Sequence, residues 1–263
     1  MLERWRGKWA VVTGASAGIG TALARLLAAG GTNLVLTARR RERLEKLAAE
    51  LAAANKIQVE IVAADLERPS APGEIYAFTA GKRIDVDLLI NNAGFGHYGA
   101  FSREPLEPQL GMVQVNCAAV VQLTHLYLPG MVQRRRGDIL ILASTASFQA
   151  VPYISVYAAS KAFDLLFAEG LAEEVRPFGV RVCALCPGST TTEFHQVAGQ
   201  PDHLKRKQET AEKVARVGLE ALAAGKSYVI SGKANYASTH AERLVPRRFV
   251  TRTAAKMFAP KGE

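Results

Sequence analysis

The sequence predicts an α/β protein, a doubly wound parallel sheet with helices on both faces. Short apolar runs alternate with longer helix-forming segments along the chain, the pattern of parallel strands joined by crossover helices. Ile139-Leu140-Ile141-Leu142-Ala143 is continuously apolar, as a strand covered on both faces should be. A glycine-rich turn joins the first apolar run to the first helix-forming segment.

The elements follow in order. Lys8-Trp9-Ala10-Val11-Val12 opens a strand over 9–13, and Ala22-Leu23-Ala24-Arg25-Leu26-Leu27 places a helix over 18–29. Further strands fall near 33–37, 58–63, 87–91, 138–143, 180–186 and 227–231. Helices fill 41–54, 70–81, 106–134, 155–176 and 210–224. Arg134-Arg135-Arg136 suits the C-terminus of the long helix, and Gly137 closes it. No short repeat, low-complexity linker or second-domain boundary interrupts this order, so residues 1–263 read as a single domain.

Composition agrees. Apolar residues make up 49% and charged residues 22% of 263 residues, as in an ordinary globular enzyme with one large core. No apolar run approaches the length of a membrane span, and the stretch after the charged N-terminus is too short for a signal peptide. A cytoplasmic location is the default. Three cysteines agree with a reducing compartment. Cys183 and Cys186 have redox-motif spacing, but three apart on a strand they face opposite sides of the sheet, as buried, inert thiols. Five histidines form no ligand cluster, so no metal site is expected.

Two groups of residues carry chemistry. Thr13-Gly14-Ala15-Ser16-Ala17-Gly18-Ile19-Gly20 lies between strand and helix. Backbone N–H groups of such a turn can approach a pyrophosphate, and the helix N-terminus adds favourable partial charge. Tyr157 and Lys161 stand four apart, with Ser144 thirteen residues upstream of Tyr157. Residues i and i+4 share a helix face, so the Lys161 ammonium can lie near the Tyr157 phenol and favour its ionisation. A phenol tuned this way can give a proton to a carbonyl oxygen or take one from an alcohol. Ser144 ends the fifth strand at the carboxyl edge, where ligands bind in such sheets.

In order and spacing, these motifs resemble the short-chain dehydrogenase/reductase family. The matches are Thr13-Gly-x3-Gly18-x-Gly20, Asp65, Asn91-Asn92-Ala93-Gly94, Asn116, Ser144, Tyr157-x3-Lys161, Pro187-Gly188 and Thr192, spread over residues 8 to 195. The last sixty or so residues match no motif. The resemblance implies a Rossmann-type sheet of about seven strands in the order 3-2-1-4-5-6-7. It implies NADP(H) or NAD(H) held by Gly14, Ser16, Gly18, Ile19, Gly20, Asp65, Asn92, Ala93, Gly94, Tyr157, Lys161, Pro187, Gly188, Thr190 and Thr192. Asp65 would meet the adenine amino group, its plainer role being a helix N-cap. Thr190 and Thr192 would lie near the nicotinamide carboxamide. Asn116, Ser144, Tyr157 and Lys161 would be catalytic, with Asn116 holding a water that links Lys161 to solvent.

NADP(H) is expected in preference to NAD(H). An acid roughly 20 residues beyond the glycine motif would bond the adenosine ribose and repel a 2′-phosphate. The chain has Leu36-Thr37-Ala38-Arg39-Arg40-Arg41 there. Arg39 offers a planar fork to the phosphate, and Arg40 can share it.

The leading reading is an oxidoreductase acting on a ketone, an aldehyde or a secondary alcohol. The alternative is a non-catalytic dinucleotide-binding sensor on the same fold, which would be marked by loss of Tyr157 or Lys161; both are present. Phe95, His97, Tyr98, Phe148, Tyr153 and Phe194 fall in loops beyond strand ends, where they line an apolar pocket or pack the loops; His97 reads as an unpaired surface residue. Met112, Val113, Val120, Leu123, Leu126, Phe163, Leu166, Phe167 and Leu171 exceed what one sheet face needs, and a homodimer or homotetramer is expected. The net charge of +9 draws on Lys205-Arg206-Lys207, Arg243, Arg247, Arg248, Arg252, Lys256 and Lys261. A helix over 246–258 would carry Arg248, Arg252 and Lys256 as one stripe, with Phe249, Val250, Thr253 and Met257 on another side. It either meets an anionic partner (a membrane surface, an acyl-carrier protein, coenzyme A) or docks by its apolar face with the cations in water. No nucleic-acid motif is present.

Overall fold

The computed structural model describes residues 2–201, 204 and 208–260; Lys205, Arg206, Lys207 and Lys261 lie outside the described residues. Seven strands form one parallel sheet in the order β3-β2-β1-β4-β5-β6-β7. They are β1 Trp9–Thr13, β2 Asn33–Ala38, β3 Val59–Ala63, β4 Val86–Asn91, β5 Gly137–Leu142, β6 Val180–Cys186 and β7 Tyr228–Ile230. The helices are α1 Gly18–Ala29, α2 Arg41–Asn55, α3 Ala71–Gly81, α4 Leu106–Val113, α5 Ala119–Gln133, α6 Ser155–Val175, α7 Phe194–Val197, α8 Ala211–Ala223, α9 Lys233–Ala241 and α10 Arg247–Phe258.

Alternation along each strand builds two cores. Ala10, Val12, Leu34, Leu36, Leu88, Ile90 and Leu140 pack under α1, α2 and α8 through Leu23, Leu27, Leu44, Val214 and Leu222. Val11, Val35, Leu89, Ile139 and Ile141 pack under α3, α5 and α6 through Ile75, Leu123, Leu165 and Leu171. Cys183 belongs to the first core and Cys186 to the second. Burial raises both thiols, Cys183 to about 12, so neither is a ready thiolate.

Several expectations are corrected. The helix expected over 106–134 runs over Leu106–Gln133 but carries a π-helical turn, Gln114–Ala118, closed by the Ala119 N–H on the Gln114 carbonyl and separating α4 from α5. The run Leu106–Gln133 is, by length and composition, apolar enough to cross a membrane, contrary to the sequence reading; here its apolar residues Val120, Leu123, Tyr127 and Met131 enter the core. Gly137 starts β5 and closes no helix; the left-handed residue after α5 is Arg135. Asp65 does not cap α3, whose N-cap position is Ser70; its carboxylate accepts the Glu67 N–H at 3.1 Å. His97 is paired, 2.6 Å from Glu104. Met112, Val120, Leu123 and Leu171 are core residues. Ala254 of α10 is buried, while Phe249 and Met257 are exposed, so the side expected to dock is not the one that does.

Candidate active site

The carboxyl ends of β1, β4, β5 and β6 open into one cleft of about 700 Å³. Its first wall is the turn after β1. Gly14 and Gly18 have positive φ, 65° and 55°, which L side chains resist. A Cβ on Gly14 would come within 2.8 Å of Asn92 Nδ2, and one on Gly18 within 2.8 Å of Thr192 Cγ2. The glycines therefore let the turn pack directly against Asn92, Ala93 and Thr192 at the N-terminus of α1. The Thr13 hydroxyl locks this wall to the next. It donates to the Ile90 carbonyl at 3.1 Å and accepts the N–H groups of Asn92 and Ala93, each at 2.9 Å. Asn92 Nδ2 returns a bond to the Thr13 carbonyl at 2.8 Å.

All the expected site residues but one line this cleft: Gly14, Ser16, Gly18, Ile19, Gly20, Arg39 and Asp65; Asn92, Ala93 and Gly94; Ser144, Tyr157 and Lys161; Pro187, Gly188, Thr190 and Thr192. Asn116 is the exception. Fully buried in the π-helical turn, it donates to the Phe95 carbonyl at 3.0 Å and to Ser160 Oγ at 2.9 Å, and accepts the Phe95 N–H at 3.2 Å. It clamps the loop after β4 to α6. Of the loop aromatics, Phe95 and Phe194 line the cleft; His97, Tyr98, Phe148 and Tyr153 do not.

Ser144 caps a short 3-10 turn, accepting the Ala146 N–H at 3.1 Å. Ser147 braces it from behind, its hydroxyl accepting the Ser144 N–H at 3.2 Å and donating to the Lys161 carbonyl at 2.7 Å. The Ser144 hydroxyl and the Tyr157 phenol both face the cleft and lie near one another. Lys161 Nζ donates to the Leu142 carbonyl at 2.6 Å and to Asp164 Oδ2 at 3.0 Å. A Cβ on Gly94 would lie 3.3 Å from that ammonium.

The electrostatics correct one expectation. Burial, the larger influence, pushes the Tyr157 phenol above its ordinary value; the Lys161 charge and the nearby Ser144 hydroxyl pull it back without reversing this. The phenol is a neutral donor at physiological pH. Burial opposes the Lys161 charge, but Asp164 and Tyr157 outweigh it and the net shift is upward.

At the far end of β2, Arg39 pairs with Glu67 at 3.0 Å. Arg40 reaches Ser16 Oγ at 3.2 Å and Glu193 at 2.8 Å. Hydrogen bonds from Arg40 and Arg43 hold the Glu193 carboxyl below its usual range. Apolar lining of the same cleft comes from Ile154, Val197, Leu204 and Phe258, with Phe95 and Phe194. Phe258 comes from α10, which Tyr98 anchors by donating its hydroxyl to the Phe258 carbonyl at 2.7 Å. Sequence reading missed Glu193, Ile154, Phe258 and Asp164. Glu193 follows Thr192 and Ile154 precedes Tyr157 by three residues, so both lay beside named motifs; Phe258 reaches the cleft only through long-range packing. An acid three residues after Lys161 was the one available signal for the fourth.

A family model described as short chain dehydrogenase matches residues 8–202. Over 198 residues the chain is 36% identical to a very-long-chain 3-oxoacyl-CoA reductase of Pyrenophora tritici-repentis, covering 73% of this chain and 58% of that protein. The chain thus spans less than two thirds of the length of that curated relative. Among solved structures, a short-chain dehydrogenase from Sphingobium yanoikuyae in complex with NADPH matches at 30% identity and TM-score 0.82, over 90% of this chain and 93% of that one. A 7β-hydroxysteroid dehydrogenase matches at 27% identity and TM-score 0.87, over 97% and 99%.

Proposed function

The chain belongs to the short-chain dehydrogenase/reductase family, and from that premise we propose that it is an NADPH-dependent oxidoreductase that reduces a ketone or aldehyde to an alcohol. The observation that carries the reading is the series of buried Ser144, half-buried Tyr157 and buried Lys161 facing a glycine-lined nucleotide cradle across one cleft. The cradle fits a dinucleotide: a tight turn with two left-handed glycines and the N-terminus of α1 face the cleft and suit a pyrophosphate. When bound, the nicotinamide supplies the hydride. Ser144 orients the substrate oxygen, and Tyr157 donates its proton to that oxygen as negative charge develops there. Lys161 stabilises the phenolate left behind, which recovers a proton from solvent. Asn116 acts by holding the loop after β4 against α6.

The apolar lining from Ile154, Val197, Phe194 and Phe258 favours a carbonyl attached to an apolar chain or ring. The name of the fungal relative makes 3-oxoacyl thioesters the first compounds to assay, with cyclic and steroid ketones beside them. NADPH oxidation across this panel tests the reading; no consumption with any carbonyl would overturn it. The free thiols suit a reducing compartment, in keeping with a cytoplasmic enzyme acting as one domain.

Two further expectations belong to this reading. NADPH should bind at least about tenfold more tightly than NADH, since charge-assisted hydrogen bonds each contribute about 1.5–3 kcal/mol. The carboxylates now on Arg39 and Arg40 are exposed partners, of the kind worth about 0–1 kcal/mol, and yield readily to a 2′-phosphate. Arg39→Glu should reverse the preference, and the double change Arg39→Ala with Arg40→Ala should erase it. Isothermal titration with both cofactors decides this, and equal wild-type affinities would contradict it.

Self-association is the second. Leu106 and Leu110 of α4 and Leu166 of α6 are 60%, 57% and 69% exposed on two helices that pack together, beside the stacked Phe163 and Phe167. This apolar face fits a second copy across a two-fold axis. Light scattering after size exclusion should give a multiple of 28.3 kDa; a monomer at micromolar concentration would count against it.

A further inference from the structure

Tyr157, Lys161 and Asp164 follow one another at i, i+4 and i+7, on one face of α6. Lys161 sits between a phenol one turn before it and a carboxylate one turn after. Both charged side chains are almost completely buried, at 4% and 1% exposure, and they touch at 3.0 Å. Asp164 Oδ1 is buried with no hydrogen-bond partner. A carboxylate held this way is costly, and packing does not require it: its neighbours on the helix, Leu165 and Ala168, fill the core with apolar groups.

We propose that Asp164 is a positioning residue of the proton-transfer site: by holding the Lys161 ammonium and offsetting its field at Tyr157, it works with burial to keep the proton on the phenol. This rests on the reductase reading above. The ammonium has two fixed acceptors, the Leu142 carbonyl and Asp164, and the carboxylate side of the pair lies away from the phenol. Burial is the main influence raising the Tyr157 pKa; Lys161 lowers it, and the Asp164 charge adds a smaller upward push against Lys161. The titratable groups facing Asp164 are Lys161 and Tyr157 on its own helix, Cys117 from the π-helical turn and Cys186 from β6. Burial lifts Asp164 itself to about 6, with Lys161 opposing. Through the neutral range the carboxylate is charged and the offset is present.

The consequence is directional. A site whose phenol stays protonated is suited to reduction over a wide pH range, whereas alcohol oxidation needs the phenolate. Ultraviolet difference titration of tyrosinate, each protein measured against its own Tyr157→Phe derivative, isolates the Tyr157 ionisation without any turnover. Asp164→Asn should move that ionisation to lower pH and raise the ratio of oxidation to reduction rate at pH 7. Asp164→Glu should restore the wild-type titration. The same Tyr157 titration in wild type and Asp164→Asn would overturn the proposal. Should Asp164→Asn not fold, carbon NMR of wild-type protein labelled in aspartate and lysine gives the answer. The Lys161 Cε resonance must shift as Asp164 titrates, and an unmoved resonance also overturns it. A protein that reduces no carbonyl would sink the reductase reading, while the tyrosinate titration would still score Asp164 separately.

Discussion

Tyr157→Phe is expected to bind NADPH as the wild type does and to lose at least about 10²–10⁴-fold in turnover, the usual worth of a positioned general acid. The ring stays, so its packing 5.2 Å from the Phe194 ring is kept; only the proton is removed. The direction of the pKa shift adds a pH signature. The Tyr157 pKa is raised above its ordinary value of 10, so the donor form persists through the neutral range. Reduction rate should be level between about pH 7 and 9, while oxidation, which needs the phenolate, should climb with pH over the same range. Steady-state rates in both directions, with cofactor affinity measured separately, check this. A Phe variant with wild-type turnover would remove Tyr157 from the chemistry.

Lys161→Met is expected to lose turnover too, and to destabilise the fold. Breaking a buried ion pair by deleting one partner costs about 3–5 kcal/mol, because the other charge is left uncompensated. The partner is Asp164, 3.0 Å away and equally buried. The sign with pH follows from burial, which already lifts Asp164 from 3.8 to about 6. Without Lys161 that pKa rises further. The charged form then burdens the folded state at alkaline pH, and the burden lifts as falling pH protonates the acid. Adding Asp164→Leu should restore most of the stability and none of the turnover. Denaturant melts of the single and double variants separate the two roles of Lys161. A single variant as stable as wild type would mean that the pair is not buried as described.

Much of this architecture is legible in sequence because it rests on local rules. Parallel strands buried on both faces read as apolar runs, and the turn at Gly14 and Gly18 needs a conformation that only glycine adopts freely. The spacing of Tyr157 and Lys161 is fixed by helix periodicity. What escaped depends on long-range or subtle geometry. The π-helical turn carrying Asn116 adds one residue to a helical pattern and leaves no compositional mark. Phe258 reaches the cleft because α10 folds back over it, a contact that spans 160 residues from Tyr98. The sign of the Tyr157 shift was misread because sequence gives the neighbouring charge but not the burial that outweighs it. In sequence Asp164 is one more acid on a helix; only its burial makes it unusual.

The central claim is that this cleft reduces a carbonyl with NADPH and a proton from Tyr157. The most direct measurement is product analysis by mass spectrometry after incubation with NADPH and a 3-oxoacyl thioester or a cyclic ketone, run in parallel with wild type and Tyr157→Phe. The account predicts the corresponding alcohol from the wild type, one equivalent per NADPH consumed, and almost none from the variant. Unchanged carbonyl compounds with a wild type that binds NADPH tightly, or equal alcohol from both proteins, would contradict it.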